Sequence, residues 1–178
     1  MIEPIVIPDA TLQPAEYVRA LLDTLADRDP LTVYEQTPYE VQRLCQDLDG
    51  AAWSTPMATG EWSALQLVGH LFDVDIVYGF RWRLVLTQDL PSYPGYDEKG
   101  WSRLARPMPQ RLLAAFAGLR EANVTLLRSL GKPDWRARGV HGEQGSEDVR
   151  RMLDKIAGHD LAHFNQLQRT IAVACEST

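Results

Sequence analysis

The chain of 178 residues is poor in cysteine and has fewer basic than acidic residues. Its two cysteines, Cys45 and Cys175, are too few and too far apart in sequence for a disulfide framework or a zinc knuckle. Eighteen Lys and Arg residues against twenty-four Asp and Glu residues give a net charge of -6. That is the wrong sign for a protein that binds by neutralising phosphates, so we expect no nucleic acid and no anionic membrane as partner.

Long apolar runs are also missing. No stretch approaches the roughly 18 apolar residues that a membrane span needs. The start, "MIEPIVIPDA", has acids and prolines where a secretory signal has a basic region and an apolar run, which predicts a cytoplasmic protein. A hydrophobic content of 45% over this length is enough for one sizeable core, so residues 1–178 are predicted to form a single domain.

Alternating strand patterns and Asn-Gly or Asp-Gly hairpin signals are absent, whereas helical periodicity is found along most of the chain. The sequence therefore predicts an all-α fold with long loops between the helices. Ser63 and Gln66 form a Ser-x-x-Gln capping box at one helix start, and Pro38 is expected to interrupt an early helix. The expected helices span residues 14–28, 39–48, 63–88, 110–130 and 146–174.

Two of the four histidines lie four residues apart in "GHDLAHFNQLQ" (residues 158–168). On a helix, His159 and His163 project from one face a turn apart, at a separation that lets two imidazoles bind one ion. His70 lies on the expected core-facing side of the helix over residues 63–88. A lone histidine there is more often a hydrogen-bonded core residue, but three buried imidazoles without a partner would be costly. Neutral imidazole is a common ligand of zinc, nickel and iron, so the three histidines together indicate a metal site.

The segments "EWSALQLVGHLFDVD" and "GHDLAHFNQLQ" resemble the DinB/YfiT-like metalloenzyme family. The resemblance extends to the aromatic and acidic loop around Tyr96, Asp97 and Trp101 and to "GVHGEQGSEDV", and covers roughly residues 50–172. It implies a four-helix bundle of unusual connectivity and, frequently, a homodimer. It further implies that His70, His159 and His163 hold one divalent metal ion. Some relatives are thiol-dependent transferases or isomerases.

Three histidine ligands leave at least one coordination position open, as catalytic sites do. If a low-molecular-weight thiol takes that position, the protein is a transferase on a small-molecule substrate, which the resemblance favours. If water takes it, the protein is a hydrolase. A metal-stabilised bundle that binds without turnover is the third interpretation. Zinc or nickel is favoured over iron, and Cys175, about 18 Å beyond His163 along a straight helix, is out of reach as a fourth ligand.

Asp73 lies one turn from His70 and is the candidate catalytic residue, either as a fourth ligand or as a general base or hydrogen-bond acceptor beside the site. Asp160 falls within the apolar stripe of the last helix and needs a partner. That partner is expected to be Arg81, or else Asp160 orients a ligand imidazole. His141, in the loop before the last helix, is expected to line the pocket mouth or to be merely structural.

The segment from Leu90 to Pro109 is predicted to cover the metal cleft, with Tyr96 and Trp101 as apolar walls that contact the cosubstrate or substrate. Alternatively, these aromatic side chains only pin a long loop to the bundle.

Two predictions concern the surface of the protein. Lys155 is expected to be exposed on the last helix. The helix over residues 63–88 carries a second apolar side, which includes Val68, Phe72, Ile76 and Leu86. Either the N-terminal helices or a second copy in a homodimer covers that side, and we favour the homodimer.

Overall fold

The computed structural model describes residues 2–176. Seven α-helices and three short strands make up this part of the chain, with one 3-10 turn at Asp134–Arg136. The helices are α1 (Pro14–Leu25), α2 (Pro30–Cys45), α3 (Gly50–Ser54), α4 (Ala64–Thr87), α5 (Glu98–Trp101), α6 (Pro109–Arg128) and α7 (Val149–Glu176). The strands are β1 (Ser92–Tyr93), β2 (Arg138–His141) and β3 (Gly145–Asp148).

Four helices close into a bundle. Helix α2 packs on α6 and α7, and α4 packs on the same two helices from the other side. Helix α1 lies outside this ring against α7. The predicted four-helix bundle is confirmed, and no helix in the described chain is both long enough and apolar enough to cross a membrane.

The start of α4 follows the capping signal in the sequence. The Ser63 hydroxyl accepts a hydrogen bond from the Gln66 backbone N–H at 3.4 Å, and the Gln66 side chain accepts one from the Ser63 N–H at 3.0 Å. Two backbone donors at the helix end are satisfied in this way. The helix therefore begins at a fixed residue, which sets the orientation of His70 two turns later.

The expected break at Pro38 is wrong, because α2 continues through it. A proline has no N–H, so the carbonyl of Tyr34, four residues earlier, loses its helical partner. The Arg120 guanidinium from α6 donates to that carbonyl instead. The helix tolerates its proline because a side chain of a neighbouring helix replaces the missing hydrogen bond.

A small sheet was not expected from the sequence. Strand β1 pairs in parallel with β2, and β2 pairs antiparallel with β3 through a tight hairpin. Gly145, at the end of that hairpin, has a φ of 78°, a conformation that favours glycine. Because β3 occupies residues 145–148, α7 begins at Val149, and its N–H at Arg151 donates to the Asp148 carboxylate at 2.8 Å.

Two apolar clusters fill the bundle, and a layer of polar side chains separates them. One cluster contains Tyr34, Val74, Leu127 and Ile156, and the other contains Val41, Leu71, Phe116 and Leu167. Where the two clusters meet on α4, α6 and α7 lie the buried polar side chains of this layer: His70, Asp73, Arg120, His159, Asp160 and His163. Buried polar groups need partners, so this layer is where the fold places its chemistry.

Helix α7 is held closely on both sides near the polar layer. Gly158 lies against the α1 backbone at Leu21, where a methyl group would overlap the Leu21 carbonyl. Lys155 is buried, contrary to the expectation that it is exposed. Its ammonium pairs with Glu147 and donates to Gln144 at 2.5 Å, so β3 and its hairpin supply the partners that the sequence pattern does not reveal.

Candidate metal centre

Three buried imidazoles meet between α4 and α7. The Nε2 atoms of His70 and His159 are 2.9 Å apart, and the ring centroid of His163 lies 4.6 Å from that of His70 and 4.3 Å from that of His159. One potential ligand atom from each residue lies within 4.8 Å of the others. A tetrahedral ion with bonds of about 2.05 Å spaces its nitrogen ligands about 3.3 Å apart. The cluster therefore has the dimensions of a site for one ion.

The outward-facing nitrogens of two rings have hydrogen-bond partners. The Tyr96 hydroxyl lies 3.3 Å from Nδ1 of His70, and Nδ1 of His163 lies 3.0 Å from the Gln166 side-chain oxygen. These contacts leave Nε2 of each ring free to face the centre of the cluster. Such outer hydrogen bonds fix the ring orientation and the tautomer of metal-binding histidines.

The electrostatic environment favours neutral rings. Burial holds the pKa of His70 well below its ordinary value, and the charges of His163 and His159 lower it further. Burial also lowers the pKa of His163, with a contribution from His159. Neutral imidazole is the form that binds a metal ion, so the environment keeps these two residues in the ligating state.

Trp62 forms one wall of the cluster and was not singled out as a site residue from the sequence. Its indole ring lies 4.8 Å from the His70 ring and 6.2 Å from the His163 ring, nearly parallel to the latter at 25°. The residue directly precedes Ser63, the N-cap of α4. The sequence signal that could have identified Trp62 was its position at a helix start, two turns before a candidate ligand.

The segment over residues 90–109, here called the lid, lies against the cluster. Tyr96 reaches His70 with its hydroxyl, and Trp101 packs edge-on against Tyr96 with 5.0 Å between ring centroids. The structure therefore brings Tyr96 to the histidines directly and Trp101 through Tyr96. Their predicted role in binding a ligand remains a prediction.

Asp73 lies outside the histidine cluster. Both of its carboxylate oxygens accept hydrogen bonds from Arg106 of the lid, at 2.7 and 2.5 Å. Arg106 also donates to the Trp101 carbonyl at 3.0 Å. In this structure Asp73 fastens the lid to α4, and the predicted catalytic role of Asp73 remains a prediction.

Asp160 does not pair with Arg81, contrary to one of the two expectations. Its Oδ2 accepts from Arg120 at 2.7 Å, and Arg120 also pairs with Asp75 at 2.8 Å. The other Asp160 oxygen, Oδ1, lies 3.9 Å from Nδ1 of His159. Asp160 thus lies between a buried ion cluster and the outer side of a candidate ligand, and the second expectation, that it orients an imidazole, stays a prediction.

His141 is not part of the histidine cluster. It ends β2, where its Nδ1 accepts hydrogen bonds from the backbone N–H groups of Glu143 and Gln144 at 3.1 and 3.4 Å. Its ring packs edge-on against Tyr93. The contacts are those of a residue that shapes the β2–β3 turn.

Two surface clefts, of about 430 and 320 Å³, lie away from the histidines. The first is between α2 and α6, and the second is between α1 and the β2–β3 hairpin. Neither is lined by a histidine. We assign the candidate site to the enclosed cluster under the lid because the ligating chemistry is there.

The fold and the site together define a helical bundle in which three convergent buried histidines have the spacing to hold one metal ion. The chain belongs to the DinB superfamily, whose family model matches residues 34–167.

The chain is also similar in sequence to two proteins from Bacillus. The chain is 28% identical over 149 residues to "Putative metal-dependent hydrolase YfiT" of Bacillus subtilis (strain 168), covering 78% of this chain and 82% of that protein. It is also 28% identical over 158 residues to a "Putative metal-dependent hydrolase" of Bacillus pumilus (strain SAFR-032), covering 85% of each. The solved structure of Bacillus subtilis YfiT, described as "a probable metal-dependent hydrolase with an unusual four-helix bundle topology", superposes with a TM-score of 0.74 at 25% identity. That match covers 79% of this chain and 83% of the YfiT chain.

Proposed function

We propose that the protein binds one divalent metal ion through His70, His159 and His163 and uses it to hydrolyse a small-molecule substrate. The observation that carries the proposal is the convergence of three buried imidazoles with their ligand atoms within 4.8 Å. The names of the relatives, all of which refer to metal-dependent hydrolases, support hydrolysis as the reaction. Zinc or nickel is the proposed ion because three neutral imidazoles are suited to either.

The donor set fits a catalytic ion better than a structural one. Closed structural sites have four protein ligands, whereas three leave a position for water or substrate. A divalent ion at such a site supplies Lewis acidity that polarises a carbonyl group and activates water near neutral pH. The three histidines would hold the ion, Tyr96 and Gln166 orient two of the rings, and Trp62 covers the cluster on one side.

A hydrolase also needs a group that holds and moves a proton. Asp73 is committed to Arg106, but Glu98 of α5 makes no ion pair or side-chain hydrogen bond to another described residue. Burial raises the pKa of Glu98, which follows Tyr96, the lid residue that contacts His70, by two residues. A carboxylate with a raised pKa accepts a proton from water and returns it to a leaving group more readily than an ordinary one. We propose Glu98 for this role.

Thiol-dependent transfer, the reaction favoured by the sequence, is the weaker candidate because the relatives' names refer to hydrolysis. It differs from hydrolysis in the second substrate. Protein loaded with zinc or nickel should therefore cleave members of an ester and amide panel without any added thiol. Turnover that appears only when a thiol and an electrophile are supplied would favour the transferase. A protein that binds metal but turns over neither set is a non-catalytic binding bundle.

The metal site itself is tested by elemental analysis of protein purified without a nickel column. We expect close to one equivalent of metal in the unmodified chain and loss of stoichiometric metal in His163→Ala. His141→Ala is the matched control, because His141 is also buried but lies outside the cluster. Metal content that survives substitution of each of the three clustered histidines would refute the proposal.

We also propose a homodimer in the cytoplasm. The outer side of α4 exposes Ile76 and Phe80, the latter with 60% of its surface accessible, although Val68 on this helix is buried within the chain. Apolar side chains a turn apart on one helix favour burial against a second copy. Sedimentation of a 20.1 kDa species at micromolar concentration would refute the dimer.

A further inference from the structure

Arg81 is a buried arginine without an acidic partner. Three arginine side chains of the described chain are buried or nearly so in the bundle. Arg120 pairs with two carboxylates and Arg106 with one. Arg81 is only 5% exposed, yet no carboxylate oxygen of a described residue lies within 4.0 Å of it. A buried charge is costly unless it is paired, so the exception calls for an explanation.

The contacts that Arg81 does make leave most of its donors free. One guanidinium nitrogen donates to the Pro94 carbonyl at 2.8 Å, and the guanidinium carbon lies 5.6 and 5.1 Å from the ring centroids of Tyr78 and Tyr93. A guanidinium has five N–H donors, and the described residues supply an acceptor for one. The aromatic rings stabilise the cation without neutralising it.

Glu147, an acidic residue near Arg81, is not free to pair with it, because one of its oxygens accepts from the Tyr93 hydroxyl at 2.9 Å and the other pairs with Lys155. Glu98 of the lid forms no ion pair with Arg81 or with any other described residue. The guanidinium of Arg81 is therefore open to an anionic group from outside the chain.

Arg81 lies on the same side of α4 as His70. The two are eleven residues apart, close to three helical turns and about 16 Å along the axis. The lid crosses between them. Pro94 accepts from Arg81, and Tyr96, two residues later and at most about 7 Å away along the chain, contacts His70. This part of the lid therefore connects Arg81 at one end with the histidine cluster at the other.

Two tyrosines of this region, Tyr17 and Tyr78, also have hydroxyl groups without a partner in the described chain. The half-buried side chains of Tyr17 and Tyr78 form no hydrogen bond to another described residue through their hydroxyls. A hydroxyl group that faces a ligand can form a hydrogen bond with it, which removes the free-energy cost of leaving that group without a partner.

We propose that Arg81 binds a carboxylate group of the substrate while the reacting group lies at the histidine cluster. This inference rests on the proposed function, because it takes the histidine cluster as the reacting end. Two guanidinium N–H groups match the two oxygens of a carboxylate. Glu98 of the same lid, which has no cationic partner among the described residues, disfavours a phosphate dianion more than a singly charged carboxylate. The substrate class is therefore a small carboxylic acid that also carries an ester or amide bond.

The test uses metal-free protein, so that carboxylates cannot bind through an ion at the histidines. The probes are butyrate and its uncharged isostere butyramide, titrated at constant ionic strength and followed by protein NMR chemical shifts. We expect binding of butyrate at least tenfold tighter than that of butyramide. Arg81→Met should abolish this discrimination, and Arg81→Lys, which keeps the charge but not the planar pair of donors, should keep part of it.

Arg106→Met separates this proposal from a role of Arg81 as a lid fastener only. Both arginines connect the lid to α4, but Arg106 already has its carboxylate. If Arg81 only fastens the lid, Arg81→Met and Arg106→Met should both increase proteolysis of the lid, and neither should change the ratio of butyrate to butyramide affinity. Equal affinities for the two probes, no detectable butyrate binding, or discrimination that persists in Arg81→Met would each overturn the proposal. Failure of the metal proposal would instead appear in the metal content of the histidine variants.

Discussion

Nδ1 of His159 lies 3.9 Å from Oδ1 of Asp160, and neither atom has a hydrogen-bond partner within the described chain. Both atoms are sealed from solvent. Nε2 of the same ring already faces His70 at 2.9 Å, so Nδ1 is the nitrogen left to donate to this carboxylate. A carboxylate behind a ligating histidine raises the basicity of the ring and fixes its orientation.

Asp160→Asn should therefore weaken metal binding by about 10–100-fold, the range found for such outer partners of a ligand. The measurement is a competition titration of zinc against a chelator. A change in the visible spectrum of the cobalt-substituted protein should accompany the loss, because that spectrum depends on ligand orientation.

Asp75→Asn is the matched control for this substitution. Asp75 pairs with the same Arg120 and is equally buried, but it contacts Tyr34 rather than a histidine. Both variants should lose stability, since breaking a buried ion pair costs roughly 3–5 kcal/mol. Only Asp160→Asn should change metal affinity. Equal metal affinities in the two variants would show that Asp160 is structural.

The pairing of Arg106 with Asp73 predicts a specific response to Asp73→Asn. The variant should lose roughly 3 kcal/mol of unfolding free energy, since it leaves a buried guanidinium without its charge partner. It should retain its metal, because Asp73 lies outside the histidine cluster. Chemical denaturation and elemental analysis measure the two quantities. Loss of metal from a folded Asp73→Asn protein would restore Asp73 as a ligand. Glu40→Gln, which breaks an exposed ion pair with Arg43, should leave both quantities unchanged.

Stability at acid pH should depend on His141. Burial, together with the charges of Arg81 and Lys155, lowers its pKa to about 4. Protonation of Nδ1 would also break the hydrogen bonds it accepts from the β2–β3 turn. Below its ordinary value of 6.5 the unfolded chain takes up a proton that the folded chain refuses, so this part of the stability is lost as pH falls from 6.5 to about 4.

The expected loss from His141 is roughly 1–2 kcal/mol after allowance for solvent screening. It is measured by comparing the unfolding free energies of metal-free wild type and His141→Gln at both ends of that range. The other three histidines are common to both proteins and cancel. An NMR titration midpoint of His141 between pH 6 and 7 would contradict the prediction.

Replacing glycine with alanine should change the free energy of unfolding in opposite directions at two helical positions. At Gly158 the new Cβ would lie 2.7 Å from the Leu21 carbonyl carbon and closer still to its oxygen. This backbone of α1 has little freedom to move, so Gly158→Ala should cost more than about 3 kcal/mol. Gly118 on α6 is exposed, and a methyl group added there would meet no atom of another element within 4 Å, so Gly118→Ala should gain about 0.5–1 kcal/mol. Thermal unfolding measures both, and a tolerated Gly158→Ala would mean that α1 can leave α7.

The sequence predicted the helices and the histidine cluster because both follow from periodicity. His70 and the pair on α7 fall on core-facing stripes, and such stripes of packed helices must face each other. The sequence did not predict correctly which side chains pair between neighbouring helices. Asp160 pairs with Arg120 of α6 rather than Arg81, because a helical pattern shows which side of its own helix a residue faces but not which neighbour lies there.

Predictions from local sequence patterns were wrong where a contact with another element supplied a partner that the local sequence lacks. Pro38 did not end α2, since Arg120 supplies the missing hydrogen bond. Lys155 is buried because the adjacent strand provides Glu147. The strands are only two to four residues long, too short for an alternating pattern, and their hairpin closes through Gly145 rather than an Asn-Gly or Asp-Gly pair.

His70 and His159 are 89 residues apart in the chain, yet their Nε2 atoms are 2.9 Å apart in the fold. An ion held by both would act as a covalent-like cross-link between α4 and α7 in a protein whose two cysteines, Cys45 and Cys175, are both free. A permanent cross-link that closes a loop of this length removes roughly 4–5 kcal/mol of chain entropy from the unfolded state. Unlike a disulfide, this one opens with a chelator and needs no oxidant. The free metal concentration would then set how much this cross-link adds to the stability that the packed bundle already has.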